Sequence, residues 1–512
     1  MLIWPLLLVF IALWAQNATP PAYNQPYRPQ FHFSPREYWT NDPNGVVHFE
    51  GEYHLFFQYN PLGDQWGHMS WGHAVSRDLV HWQQLPVALA EKNGVMIFTG
   101  STVIDEHNTS GFCTGGKPCM VAIYTGHTPE SGARPALQTQ NIAYSNDRGR
   151  TWKKYSGNPV LNLNMSDFRD PKVFWSQQSR RWVMGVSLPN DHKVRFYGSA
   201  DLKRWTQISE FGPAGATDGQ WECPELFELP IEGGGGATRW VLKVGLNPGA
   251  LQGGSGEQYF VGQFDGTKFQ NDNPASLQLW TDYGKDCYCA LTFNGLPRNQ
   301  RAVMIGWMDN WQYAAQLPTS PWRGQMTFPR SLSLRKTAEG LRLVQEPYEG
   351  LKRLKGPQSG TGLAAASFGD AQSFGNTDML QTHTFLLHSE MKTGDAQQIG
   401  WRLLADSSHY TLVGYDTQRH KLFVDRTHSG LTSFSKDFPA TIEAPLVLQG
   451  DTLSLDILVD RCSVEVFADG GQVTSTNLVF PPEGANGLET LAKGGRGGRI
   501  SASMTEIRSI WE

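Results

Sequence analysis

The feature that most constrains this chain is the shortness of its apolar runs. Residues 53–59 (YHLFFQY), 181–186 (RWVMGV), 239–244 (RWVLKV) and 301–307 (RAVMIGW) are each rich in β-branched and aromatic side chains, and each is closed by Gly, Pro, Asn or Asp. Runs of about 4–8 residues with such punctuation suit strands, whereas a helix needs a longer stretch with a 3.6-residue period. No long run with that period occurs, so the chain is predicted to be essentially all-β. Asp265-Gly266, between 260–264 (FVGQF) and 267–269 (TKF), is a strong hairpin signal.

A weak repeat organises the strands. Residues 76–82 (SRDLVHW) resemble 199–205 (SADLKRW), and 145–152 (SNDRGRTW) is a cousin one residue longer. In each, a strand runs into Ser-x-Asp, turns, and reaches a Trp. The short Asp side chain can bond the turn backbone while the indole packs between sheets. Small sheets repeating every several tens of residues suggest propeller blades, and residues 27–350 have room for five four-stranded blades. The polar, Gly- and Pro-containing stretch 351–362 is predicted to be a linker. Residues 363–512 then alternate as short strands (381–388, 400–404, 410–415, 421–425, 452–459 and 463–467), the spacing of a β-sandwich.

With 512 residues, 39% hydrophobic and 18% charged, the chain has the composition of a folded two-domain protein. A net charge of -5 without a basic run argues against a nucleic-acid partner. Residues 1–15 form an apolar run too short to span a bilayer comfortably and ending in small residues. Residues 1–18 are therefore read as a signal peptide, cleaved near Ala15 or Ala18. The mature protein is expected to be secreted, extracellular or periplasmic, with no membrane segment. Glycosylation sequons stand at Asn17, Asn108 and Asn164. Six Cys are too few for a disulfide scaffold. Cys113 and Cys119 flank a short Gly-rich loop and can pair in an exported protein; Cys287 and Cys289 would share one face of a regular strand. No His stands at metal-ligand spacing from a Cys, so neither a structural metal nor a cofactor is expected. The sequence carries no signal for an oligomeric state.

Three segments set a carboxylate among aromatics, Pro and Gly: 38–45 (YWTNDPNG) with Asp42, 168–171 (FRDP) with Asp170, and 221–226 (WECPEL) with Glu222. A Pro after Asp42 and after Asp170 biases both away from helix, toward strand ends or turns at the mouth of a propeller. Trp221 is a candidate apolar wall to raise the carboxyl pKa of Glu222. Glycoside cleavage needs one protonated carboxyl and one ionised carboxylate, with further groups on the ring hydroxyls.

These three segments resemble the signature motifs of glycoside hydrolase family 32, which includes invertases, exo-inulinases and levanases. Residues 56–61 (FFQYNP), 71–74 (WGHA), 98–101 (FTGS), 306–313 (GWMDNWQY), 321–324 (PWRG) and 463–467 (SVEVF) also match, in order, over nearly the whole mature chain. The resemblance implies a five-bladed β-propeller followed by a β-sandwich. It also implies a retaining, exo-acting β-fructofuranosidase that hydrolyses terminal fructosyl residues of sucrose, inulin or levan. In that reading Asp42 is the nucleophile, Glu222 the acid–base and Asp170 the stabiliser of the transition state. Arg169 holds the hydroxyl network beside Asp170. Asn41, Gln58, Trp66, Thr99 and Trp311 match sugar-contacting positions, with Phe98 beside Thr99. Thr40 stands where Met is common, Thr99 where Ser is common, and Cys287 where an aromatic often precedes the Tyr. Competing readings are a fructosyltransferase, a non-catalytic carbohydrate-binding relative, and an arabinan-cleaving propeller enzyme, against which the form of the first motif argues.

Overall fold

The computed structural model describes residues 23–297, 300–374 and 380–511. The expected signal peptide and Asn17 lie outside the described residues; Asn108 and Asn164 are both exposed. Among the described residues no helix is long and apolar enough to cross a membrane.

Five antiparallel sheets follow one another along the chain, each ordered by simple up-and-down pairing. Blade 1 holds strands Tyr38–Phe49, Glu52–Tyr59, Ser70–Ser76 and Gln83–Leu89, with Trp322–Arg323 added in parallel to the first. Blade 2 is built from Met96–Asp105, Cys119–Thr128, Leu137–Ser145 and Lys153–Lys154, with Leu161–Met165 as an extra partner of its third strand. Blade 3 comprises Arg169–Ser176, Arg181–Leu188, Lys193–Ser199 and Thr206–Phe211, and blade 4 Gln220–Pro230, Thr238–Asn247, Gly256–Phe264 and Phe269–Asn271. Blade 5 comprises Tyr288–Thr292, Val303–Trp307, Arg330–Thr337 and Gly340–Pro347. The first strands of successive blades touch in sequence, and that of blade 5 touches that of blade 1, so they close a ring around the axis. The parallel bridge Val47–Asn294 helps lock this closure, with Asn294 Nδ2 donating to the carbonyls of Thr102 and Val173.

The repeated Ser-x-Asp segments fall at the same place in blades 1, 2 and 3, between third and fourth strands. Asp78 Oδ1 accepts the amides of Val80 and His81, Asp147 Oδ1 that of Thr151, and Asp201 Oδ1 those of Lys203 and Arg204. Asp265, from the Asp-Gly hairpin, does the same in blade 4 with Thr267 and Lys268. The indoles of Trp152 and Trp205 close back on the carbonyls of Gly149 and Leu202. Separate apolar clusters fill the gaps between neighbouring blades: Val121, Ile123, Val173 and Met184 between blades 2 and 3, and Val194, Phe196, Leu242 and Phe260 between blades 3 and 4. Removing this apolar surface from water stabilises the ring, at about 25 cal/mol per Å².

The second domain stacks a six-stranded sheet on a five-stranded one around Leu387, Trp401, Val413, Leu455 and Ile457. The stretch 351–362 is not a free linker. Residues Glu349–Leu354 form a 3₁₀ turn that buries Leu351 and Leu354, and Lys355–Ala365 pairs with Ile500–Ile507 as the edge strand of the six-stranded sheet. An edge tolerates Pro and Gly that an interior strand does not, which is why composition alone reads as a linker. Two buried arginines seal the domains together. Arg330 of blade 5 bonds Asp282 (2.8 Å) and Glu465 of the sandwich (3.0 Å), and Arg426 of the sandwich bonds Asp286 (2.5 Å) and the Tyr313 hydroxyl (2.8 Å).

Candidate active site

All five axial strands break their ladder at a corresponding place, and the first breaks again between Asn44 and Val47. The pairing register shifts between Thr40 and Pro43, Ile97 and Gly100, Arg169 and Lys172, Glu222 and Glu225, and Tyr288 and Leu291. Within or beside these breaks lie Asp42, Thr99, Asp170, Glu222 and Tyr288, one from each blade. A bulge bends a strand and re-aims a side chain that the pleat would otherwise send sideways. Pro43, Pro171 and Pro224 fit here because Pro has no N–H to leave unpaired where the ladder is interrupted. Asp170 (φ 66°), Cys223 (φ 46°) and Cys289 (φ 45°) are held in the left-handed region, a cost that surrounding structure must sustain. Gly45 is required on the same account: its φ is 50°, and a Cβ there would lie 2.5 Å from Thr102 Oγ1.

The breaks of blades 1 to 4 open into a cavity of about 390 Å³ at the axis, and Tyr288 of blade 5 reaches it through Glu222. Every residue nominated from the sequence lines it: Asn41, Asp42 and Gln58 from blade 1, Trp66 from the following loop, Phe98 and Thr99 from blade 2, Arg169 and Asp170 from blade 3, Glu222 from blade 4, and Trp311. His127, Gln138 and Asn247 line it too. Trp66 is 46% exposed and forms the rim; its ring meets Phe98 edge-on, and Phe98 stacks on His127 at 4.4 Å. Trp311 packs on Trp39 and Trp307. Trp39 Nε1 donates to Asn41 Oδ1 at 2.8 Å and so orients the amide.

The acids differ in their surroundings. Asp42 Oδ2 accepts the Thr99 hydroxyl at 2.7 Å. Burial pushes its carboxyl up to about 6; the Thr99 bond opposes this and the charge of Glu222 adds to it. Asp170 Oδ2 accepts the Cys223 amide at 2.9 Å, and the Asp170 amide donates to Thr125 Oγ1. Its carboxyl is also raised, by burial first, against the pull of Arg169 and with repulsion from Glu222 and Asp42. Glu222 is held from both sides: Arg169 Nε donates to Oε1 at 3.1 Å and the Tyr288 hydroxyl to Oε2 at 2.5 Å. Burial, reinforced by the negative charge of Glu222, raises Tyr288 far above its ordinary value, so it stays a protonated donor.

The guanidinium of Arg169, next to Asp170 in sequence, bonds Glu222, Asp167 Oδ1 (2.8 Å) and Gln220 Oε1 (2.7 Å). One expectation changes. Trp221 does not wall Glu222. Neighbours on a strand face opposite ways, and Trp221 is buried between blades 3 and 4 with its Nε1 on the Ala216 carbonyl. Tyr288 was not nominated, although the stretch 286–290 (DCYCA) departs from the expected pattern around it. Cys113 pairs with Cys119, as their spacing allows, and Cys223 pairs with Cys289, which no local signal announces. Among the described residues the one group with metal-ligand proximity is Asp42, Cys223 and Cys289, and both of its sulfurs are engaged in that disulfide.

Three converging carboxylates under an aromatic rim, at the axis of a five-bladed propeller, define a glycoside-cleaving enzyme. The glycosyl hydrolases family 32 N-terminal domain matches residues 32–347 and the family's C-terminal domain residues 355–510, and the chain belongs to this family. It is similar to a levanase of Bacillus subtilis, 44% identical over 99% of this chain and 74% of that protein. It is also similar to an extracellular exo-inulinase of Aspergillus awamori, 42% identical over 96% of each. The crystal structure of exo-inulinase from that organism superposes with a TM-score of 0.88 at 40% identity, covering 96% of this chain and all of that one. A β-fructofuranosidase from Schwanniomyces occidentalis, complexed with fructosyl-erythritol, superposes with a TM-score of 0.83 at 32% identity, over 95% and 99% of the two chains.

Proposed function

We propose that this exo-acting fructofuranosidase releases terminal β-D-fructofuranosyl residues by a retaining double displacement. Asp42 attacks the anomeric carbon, the glycosidic C–O bond breaks, and Glu222 gives its proton to the departing oxygen. Glu222, now a carboxylate, takes a proton from water; the resulting oxygen attacks the same carbon and returns Asp42 as a carboxylate. Asp170 keeps its charge through both steps, bonding ring hydroxyls and countering the positive charge of the oxocarbenium-like transition state. Asn41, Gln58, Thr99, Arg169 and Trp311 hold the fructosyl unit; Trp66 and Phe98 contact the leaving group at the rim.

The observation that carries this reading is the division of labour between two acids in one cavity. Asp42 accepts the Thr99 hydroxyl, which holds its carboxylate in place for attack. Glu222 sits between a guanidinium and a phenol, which hold the carboxylate left when it gives its proton to the departing oxygen. A cavity this small admits one ring and the start of the next, which supports exo action. Levan and inulin are the proposed polymeric substrates, after the levanase and exo-inulinase relatives, with sucrose as a small one. Hydrolysis is favoured over fructosyl transfer on the same likeness. The apolar residues 1–15 and the extracellular relative support secretion. The domain limits proposed are 27–350 for the propeller and 363–512 for the body of the sandwich.

The test is to incubate purified protein with sucrose, inulin and levan and follow products in time. Steady release of fructose alone from inulin and levan, and of fructose with equimolar glucose from sucrose, is expected, the fructose appearing first as the β-anomer. Dominant oligomers at high sucrose would reassign the chain as a transferase, and first release of the α-anomer would exclude double displacement.

A further inference from the structure

Cys223 and Cys289 are 66 residues apart in sequence, yet they are bonded, with Cα atoms 5.4 Å apart. Both are buried. Cys223 directly follows Glu222, and Cys289 directly follows Tyr288. Each occupies a ladder break and a left-handed backbone conformation. The strands that carry them belong to different sheets, so no ladder hydrogen bond joins them there. The Tyr288–Glu222 bond at 2.5 Å must therefore be aligned across a blade boundary by side chains. The same cystine reaches the other two acids: the Cys223 amide donates to Asp170 Oδ2 at 2.9 Å, and its sulfur lies 3.9 Å from Asp42 Oδ2.

We propose that the Cys223–Cys289 disulfide is a positioning device for catalysis, fixing the bulge that aims Glu222 to the bulge that aims Tyr288 while holding the amide that Asp170 accepts. This rests on the roles proposed above for Glu222 and Asp170. The bond clamps two strained turns at the residue next to each reacting or donating side chain, where a shift of about 1 Å costs about a hundredfold in rate. The other disulfide, Cys113–Cys119, closes a six-residue separation on blade 2, and Cys113 bonds Asn108 and Asp105 and none of the three acids. It is the natural control for a cross-link that only stabilises.

The first experiment is a thiol count on unreduced protein in denaturant. Two alkylated thiols, Cys287 and Cys462, are expected by peptide mapping; alkylation of Cys223 and Cys289 as well would overturn the proposal. The second compares Cys289→Ser with the double variant C113S/C119S. Cys289→Ser is expected to lower kcat about tenfold or more with KM within about twofold, and to move the basic limb of the kcat–pH profile. The loss is expected to shrink on an aryl β-fructofuranoside, whose leaving group needs no proton, and C113S/C119S is expected to keep the parent kcat and profile. Should Cys289→Ser not fold, Cys223→Ala/Cys289→Ala carries the same readouts without a lone buried thiol. A folded variant with parental kcat and pH limbs would overturn the bracing role. Glu222→Gln, run in parallel and read in the first turnover, separates the two layers: if its burst of aryl leaving group is slowed as much as its first-turnover release from a sugar leaving group, the acid assignment falls and the bracing role with it. If only Glu222→Gln discriminates between leaving groups, the bracing role alone falls.

Discussion

The axial strands of the propeller and the central strands of the sandwich use similar side chains under different rules. Strands Phe385–Lys392, Thr452–Asp460 and Ser463–Ala468 pair without one register shift, and their inward side chains are apolar apart from Ser389, which accepts the Trp401 indole N–H. All five axial strands of the propeller shift register, three hold non-Gly residues at positive φ near the cavity, and the groups they aim inward are Asp42, Thr99, Asp170, Glu222 and Tyr288. The contrast teaches where this chain spends stability. The sandwich is regular because it only has to pack; the axis is irregular because it has to point carboxylates at one place, and burying them disfavours their charge.

The largest effect expected from breaking this contrast is at Asp42. Asp42→Ala is expected to lower kcat by about 10⁴-fold or more while the circular dichroism stays that of the parent; near-normal turnover would remove the nucleophile assignment. Next is the sandwich core. Trp401→Ala is expected to cost about 3–5 kcal/mol in denaturant unfolding, with kcat per folded molecule unchanged, since Trp401 packs between the sheets with its indole N–H on Ser389. A matching fall in kcat would mean that the two regions are not separable in this way. Tyr288→Phe removes one charge-assisted hydrogen bond worth about 1.5–3 kcal/mol, so kcat is expected to fall about 10- to 150-fold, with little change in KM. An unchanged kcat would assign Tyr288 to packing alone.

The smallest effects are on pH. Asp42 attacks as a carboxylate, so kcat/KM is expected to fall as pH drops through about 6, the value set by burial and Glu222 against the Thr99 bond. Glu222→Gln removes a repelling charge and is expected to move that limb to lower pH. The same raised value has a stability consequence. The folded chain holds the Asp42 proton more tightly than the unfolded chain does, so stability attributable to this group is lost as pH rises from about 4 to about 6. Asp42→Asn is therefore expected to have a higher Tm than the parent at pH 7; a lower Tm would show that the charge is better stabilised than its burial implies.

Much of this contrast is legible in the sequence, because turn chemistry is local. The Ser-x-Asp segments and Asp265-Gly266 mark the outer turns of four blades, and Asp-Pro, Asp-Pro and Cys-Pro mark three of the five axial breaks. What escapes is whatever depends on distant chain segments. Alternation gives Cys287 and Cys289 a common face, but Cys287 precedes the strand and Cys289 occupies its bulge, so the two-residue rule does not apply there. The partner of Cys289 comes from another blade. Trp221 is adjacent to Glu222 in sequence and opposite to it in space. Residues 355–365 become a strand only because Ile500–Ile507 arrives beside them.

The most direct test is to trap the intermediate. Glu222→Gln, incubated with a β-fructofuranoside whose leaving group departs without a proton, is expected to accumulate a covalent adduct of one fructosyl unit, found by peptide mass spectrometry on the segment containing Asp42. Turnover of that substrate with no adduct, or an adduct on Asp170, would contradict convergence of the axial strands on a nucleophile at Asp42.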